Sequence, residues 1–359
     1  MKITDVRTRP LKLPYKNPLK TAANYFDVAT GVLVEIATDE GTRGYGYADV
    51  FPRAGETIAT AQALIHEVIA PGVIGKSPME AQLIVEWMEK NLLGNFRAKA
   101  AVEMGIQDLR GKATGLPLYE LLGGAVRKSV LVMPMIGLQS PERMAEEAET
   151  LVDQGIKALK LKIGTGLKED VQRVQRVRQR VGKEIFIKVD ANQAYTVPEA
   201  LRVARHLEEF EVESFEQPVA AHDWEGMVHL NQNSPIPIEA DQTVRTVNDA
   251  LRAIRLGAAQ IITTSPQKAG GILQAKRVAD LCQVAGIQCI VSNVAGSLIN
   301  DAAAIHLIAA SVSTTLPCEV GQFERVSGDP ARGLIVQDGE IHVPSGPGLG
   351  IEVQFPVQS

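Results

Sequence analysis

The feature that most restricts how this chain can fold is a recurrence of charged residues between Lys160 and Asp241. Lys160-Leu161-Lys162, Asp190-Ala191-Asn192, Glu216-Gln217-Pro218 and Glu239-Ala240-Asp241 each close a short apolar run, such as Ile185-Phe186-Ile187 or Ile236 to Ile238. Runs of this kind read as buried parallel strands. The alternation extends to both sides. Strands are expected near 130–134, 158–163, 185–190, 212–216, 236–240, 259–263, 288–292 and 315–319. Helical period fills the intervals near 141–154, 168–181, 197–210, 223–232, 247–256, 271–285 and 299–311. This is the pattern of an α/β barrel. The interior of such a barrel is packed, and chemistry sits where the strands end.

The spacing within each motif matters as much as its recurrence. Side chains alternate faces along a strand, so Lys160 and Lys162 point the same way, as do Asp190 and Asn192. Two adjacent ammonium groups repel, which lowers the cost of removing a proton from one. Asp190, Glu216 and Asp241 come from three consecutive strands and converge as an all-oxygen site suited to a hard cation such as Mg2+. A lysine base facing such a site suits proton removal beside a carboxylate, with the metal holding the enediolate charge. Any one of these groups alone reads as an ordinary solvated charge; four at consecutive strand ends read as a site.

At 359 residues the chain exceeds one average domain, and a barrel alone takes about 250. Two domains are expected: an α+β unit over 1–125 and the barrel over 126–319, with a tail at 320–359 packing back on the first. In the first unit, residues 2–13, 30–37 and 41–48 read as an antiparallel sheet, and 57–69, 78–91 and 96–114 as helices. The connection from Lys16 to Val28 reads as a long functional loop carrying Lys20, Thr21, Asn24 and Tyr25, with Tyr25 a candidate substrate contact. In the tail, Gly333 to Val343 reads as a hairpin around Asp338-Gly339. A net charge of −5 gives no support for nucleic-acid or anionic-membrane binding. Cys282, Cys289 and Cys318 read as reduced core thiols, and no signal or membrane-spanning run is evident, so a cytoplasmic location is expected.

With these motifs in view, the sequence resembles the enolase superfamily in its muconate-lactonizing subgroup. The resemblance also rests on Lys268-Ala269-Gly270-Gly271-Ile272, Pro347-Gly348-Leu349-Gly350, Asp108-Leu109-Arg110-Gly111-Lys112 and Leu121-Leu122-Gly123-Gly124. It implies an α+β capping domain, a modified (β/α)7β barrel and an essential Mg2+ held by Asp190, Glu216 and Asp241. Lys162 would be the acid/base, tuned by Lys160. Loops near 16–27 and 48–56 would close over the barrel mouth, with Tyr25, Phe51 and Arg53 as candidates for substrate choice. A homo-oligomer acting on a small-molecule carboxylate is implied as well.

Three departures stand out. The subgroup's second lysine, at the tip of the sixth strand, is replaced by Ser265, so the second base is either missing or supplied by Lys268. Gly296 stands where a glutamate often follows the seventh strand, and no histidine lies near that strand end. The eighth strand ends Cys318-Glu319-Val320-Gly321, with Glu319 as in the muconate enzymes and without the paired aspartates of dipeptide epimerases. Asn192, Ser265 and Glu319 join Tyr25 as candidate substrate contacts, and His222 is nearer the active face than the helical His66, His206, His229 and His306. A single base favours one-face chemistry. A muconate-type cycloisomerase is therefore the first expectation. The alternatives are a racemase or epimerase of N-acyl or cyclic amino acids using Lys162 and Lys268, a syn dehydratase, or a non-catalytic carboxylate-binding relative.

Overall fold

Alternating apolar residues set the N-terminal sheet. The computed structural model describes residues 1–355; the last four residues of the expected tail, 356–359, lie outside the described residues. Strands β1 (Ile3–Lys20), β2 (Tyr25–Thr38) and β3 (Arg43–Asp49) pair antiparallel in that order. Val32, Val34 and Ile36 of β2 pack on Ala98, Ala101, Val102 and Ile106 of the helix Phe96–Thr114. Gly46 lets β3 lie directly on that helix, since a Cβ there would fall 1.8 Å from the Ala101 carbonyl oxygen.

The expected loop over 16–28 is instead the far end of a two-stranded ribbon. Leu19 pairs with Phe26 and Lys20 with Tyr25, beyond a register shift between Pro14 and Leu19. Pro14 and Pro18 lack an N–H, and the irregular stretch between Pro14 and Leu19 accommodates them. Thr21 closes the turn by accepting hydrogen bonds from the Ala23 and Asn24 amides. The ribbon tip docks on the barrel, where Leu138 N–H donates to the Lys20 carbonyl at 2.7 Å.

The next strands are β4 (Ser129–Leu131), β5 (Met135–Ile136), β6 (Ala158–Lys162), β7 (Phe186–Asp190), β8 (Ser214–Glu216), β9 (Ile238–Ala240), β10 (Ile261–Thr264) and β11 (Gln288–Val291). β5 to β11 form one parallel sheet in sequence order. The eighth segment is reduced to single bridges, Val132 with Cys318 and Ser292 with Glu319, which join the two edges and close the ring. Its brevity follows from Pro317, which cannot donate to a ladder. The first expected strand, near 130–134, divides at Pro134. Its front half, β4, leaves the barrel and pairs with tail strand β13 (Glu340–His342), which follows β12 (Ala331–Arg332); β12 in turn pairs with β14 (Glu352–Val353). The expected 333–343 hairpin thus keeps its turn at Asp338-Gly339, bridging Gln337 to Glu340, but its strand has a different partner. The three cysteines are buried and unpaired. No single helix among the described residues is long and apolar enough to cross a membrane.

Tail, barrel and N-terminal unit meet at His306, in the buried helix Leu298–Ala309. Its Nδ1 accepts from Tyr119 N–H at 3.3 Å and its Nε2 lies 3.1 Å from the Leu349 carbonyl. That arrangement calls for the neutral ring with the proton on Nε2. Burial lowers the His306 pKa from 6.5 to about 4. A folded pKa below the unfolded one means the stability is complete above pH 6.5 and is lost as pH falls toward 4. The expected cost is about 2 kcal/mol by pH 5. Urea unfolding at pH 7 and 5 measures it, as the slope of the wild type minus that of His306→Gln, whose side chain does not titrate. Equal slopes would show that His306 is not the source.

Candidate functional site

Counting the closing segment, the barrel has eight positions, and β6 and β10 are four apart by either route around the ring. Their tips therefore face each other across the mouth. Between them lies a cavity of about 220 Å³. Lys160, Lys162, Asp190, Asn192, Asp241, Ser265, Lys268 and Glu319 all line it; Glu216 lies just below and is fully buried. From the other side the cavity is roofed by Leu19, Phe26, Asp49, Phe51 and Arg97 of the N-terminal unit. Tyr25, a sequence candidate, is 65% exposed and does not line the cavity. Strand alternation turns its neighbour Phe26 inward instead. His222 is exposed and outside the cavity wall.

Beneath the mouth is a layer of buried charge. Lys160 Nζ lies 3.0 Å from Asp190, 2.8 Å from Glu216 and 2.8 Å from Glu319. Lys188 Nζ lies 2.6 Å from Glu216 and 2.7 Å from both Glu239 and Glu319. Lys162 Nζ reaches Asp190 Oδ2 at 2.5 Å, the oxygen Lys160 also approaches. Burial opposes the charge on Lys160, yet Asp190, Glu216 and Glu319 hold its pKa well above the ordinary value. It is thus a fixed cation that shares an oxygen with Lys162. Against the same burial, Lys160 and Lys162 hold Asp190 well below the usual carboxylate range. Lys160 and Lys188 bring Glu319 down to about 2.

Lys188 escapes notice when only strand tips are read, and Glu239 is seen there without a role. The signal was present, because each lies two residues before a tip carboxylate and so faces the same way. Ser214 Oγ and Thr263 Oγ1 complete the layer by donating to Glu239. The cluster of Glu216, Glu239 and Glu319, whose oxygens lie within 4.8 Å of one another, has the outline of a cation site. The Lys188 ammonium already fills it.

A divalent cation fits one level higher. Three lysines, Lys160, Lys162 and Lys188, face four acids, Asp190, Glu216, Glu239 and Glu319, so the layer holds one more acidic group than basic ones. Burial and the neighbouring Asp190 push Glu216 well up against the pull of both lysines. Asn192 Oδ1 and Gln242 Oε1, beside Asp190 and Asp241, are buried acceptors without a donor. Carboxylates in excess next to unfilled oxygen acceptors are the environment a hard cation relieves. Gln217 sets the height of Asp241: its side-chain oxygen accepts from the Asp241 and Thr243 amides at 3.1 and 3.0 Å.

Opposite Lys162, Ser265 caps the short helix Pro266–Ala269, accepting from Lys268 N–H at 3.1 Å. Lys268 reaches back to the mouth, with Nζ 2.7 Å from Asp241 Oδ1, 2.9 Å from the Asp241 carbonyl and 2.5 Å from the Thr263 carbonyl. Glu319 Oε2 accepts from Lys160 and Ser292 and its Oε1 lies 2.7 Å from Lys188 Nζ, so it braces the lysines.

The site is thus a closed parallel barrel with acids and lysines at its strand tips, roofed by an α+β unit. Residues 3–123 match the family described as mandelate racemase / muconate lactonizing enzyme, N-terminal domain, and residues 143–357 match the enolase C-terminal domain-like family. The chain belongs to the enolase superfamily and is an isomerase of that superfamily. It is 32% identical to an N-succinyl-L-Arg/Lys racemase of Bacillus cereus over 98% of this chain and 96% of that protein. It is likewise 32% identical to muconate cycloisomerase 1 of Rhodococcus opacus over 99% and 97%. A dipeptide epimerase from Enterococcus faecalis V583, complexed with Mg and the dipeptide L-Leu-L-Tyr, superposes with a TM-score of 0.94 at 32% identity, over 98% of this chain and 99% of that one. The expectation that placed a muconate-type cycloisomerase first is not confirmed, since racemases and epimerases stand beside cycloisomerases among the relatives.

Lys188→Met leaves three buried carboxylates short of a cation. We expect about 3–5 kcal/mol of destabilisation in urea unfolding at pH 7. Glu319 has its folded pKa depressed to about 2, below the ordinary 4.5, so its stabilisation is present above pH 4.5 and lost as pH falls toward 2. Wild-type stability at Lys188→Met would show the network to be energetically idle.

Proposed function

We propose that this protein takes the α-proton from an amino-acid-derived carboxylate and returns it with inverted configuration, as a racemase or epimerase of N-acyl amino acids, dipeptides or cyclic amino acids. The observation that carries the reading is the placement of two lysines, Lys162 and Lys268, on opposite walls of one cavity. Inversion needs a proton-carrying group on each face of the flattened carbon. The relatives' activities support the same reading.

Asp190, Glu216 and Asp241 are the residues that would hold Mg2+. When bound, the metal supplies an electrophile for the substrate carboxylate and for the enediolate charge. Lys162 is the base on its face. Lys160, kept charged by Asp190, Glu216 and Glu319, stands beside it as a fixed cation. The aromatic roof of Phe26 and Phe51 excludes water, which strengthens every charge interaction below it. Lys268 serves the other face once its ammonium leaves Asp241.

Ser265 and the three acceptors on Lys268 favour a second reading. A lysine held in this way stays out of the chemistry, Lys162 works alone, and a single proton transfer on one face gives a cycloisomerisation. The two readings diverge in D2O. For racemisation, wild-type protein with Mg2+ exchanges the α-hydrogen and inverts the centre. Lys162→Ala and Lys268→Ala each lower inversion by at least about 10³-fold. A Lys268→Ala variant that inverts at the wild-type rate excludes Lys268 as a base. Exchange of both enantiomers at the wild-type rate in Lys162→Ala removes the reading altogether.

A further inference from the structure

Arg97 is absent from the charge network of the strand tips, yet its side chain forms part of the cavity roof. It is held from three directions. Its backbone amide and that of Ala98 donate to the Glu56 carboxylate at 2.9 and 3.0 Å, fixing the start of the helix Phe96–Thr114. Its Nε lies 3.0 Å from Asp49 Oδ1, and its guanidinium carbon stands 4.9 Å over the Phe51 ring. Asp49 is in turn fixed through its backbone N–H, which donates to Gln267 Oε1 at 3.2 Å. The terminal nitrogens of Arg97 make no hydrogen bond and no further ion pair among the described residues. Its side chain is 15% exposed, toward the cavity it lines.

A guanidinium braced at Nε and stacked on one face, with its outer edge free, is arranged for two parallel hydrogen bonds to a carboxylate. Its surroundings favour an anion. Above the strand tips the cavity wall carries three guanidinium groups, Arg53, Arg97 and Arg245, against the single carboxylate of Asp49. We infer that Arg97 is the specificity-determining residue for a second, distal carboxylate, so that the substrate is a dianion. Its α-carboxylate goes to the barrel floor. Its other carboxylate, carried on the acyl group or on the side chain, goes to the roof. The inference rests on the amino-acid reading above and narrows it.

Calorimetric binding to the Mg2+-loaded protein tests it without needing turnover. Two matched pairs separate the sources of the distal charge: N-succinyl-L-leucine against its terminal amide for the acyl arm, and N-acetyl-L-glutamate against N-acetyl-L-glutamine for the side-chain arm. In at least one pair the acid is expected to bind about 10–100-fold tighter than the amide. Arg97→Met is expected to reduce that preference to near unity, and Arg97→Lys to restore part of it. The inference is overturned if acid and amide bind alike in both pairs, if none of the four binds, or if the preference survives in Arg97→Met. Should Arg97→Met fail to fold, Arg97→Lys carries the test, since losing the bidentate geometry must reduce the preference. Binding with the expected preference but without α-hydrogen exchange in D2O would sink the proton-transfer reading and leave this one standing.

Discussion

The structure depends on two ammonium groups buried among carboxylates. Lys160 and Lys188 tie four strands and the closing segment together from inside the barrel, through Asp190, Glu216, Glu239 and Glu319. Taking such groups out of water is costly, and only full pairing recovers the loss. The layer is therefore poor in alternatives: each side chain has its partner in one arrangement and none in another. It acts as a rigid foundation, so the groups above it are placed by the barrel rather than by loops.

That foundation also explains the division of labour at the mouth. Glu319 and Lys160 are too deeply committed to exchange protons with a ligand. Lys162 touches one carboxylate and faces the cavity. Asp241 is partly exposed, and its carboxyl oxygens contact Lys268 and Gln242. Reactive capacity thus rises from the centre of the barrel outward, as the number of partners per group falls.

The barrel and its tip motifs were legible in the sequence because a two-residue strand period and a 3.6-residue helix period leave local marks. Asp190, Glu216 and Asp241 could be found as carboxylates closing apolar runs. The shrinking of the eighth strand to single bridges, the division of the first and the ribbon over 16–28 were not legible, since prolines mark a break but do not say how the chain repairs it. Arg97 had no signal at all. It sits near the start of an ordinary amphipathic helix, and only its contacts with Asp49 and Phe51, 48 and 46 positions earlier in the chain, give it a role.

Gln267 has a consequence for how this protein can change. Barrel enzymes diversify readily because each loop at the mouth can be rewritten alone. Here the side-chain amide of the residue next to Lys268 donates to the Tyr47 carbonyl of the roof and to Asn300 of the barrel wall, and its oxygen accepts from the Asp49 N–H. A lineage revising its sixth loop would disturb the seating of the roof in the same step. New chemistry at that tip and new preferences in the roof are therefore inherited together, as one heritable unit rather than two.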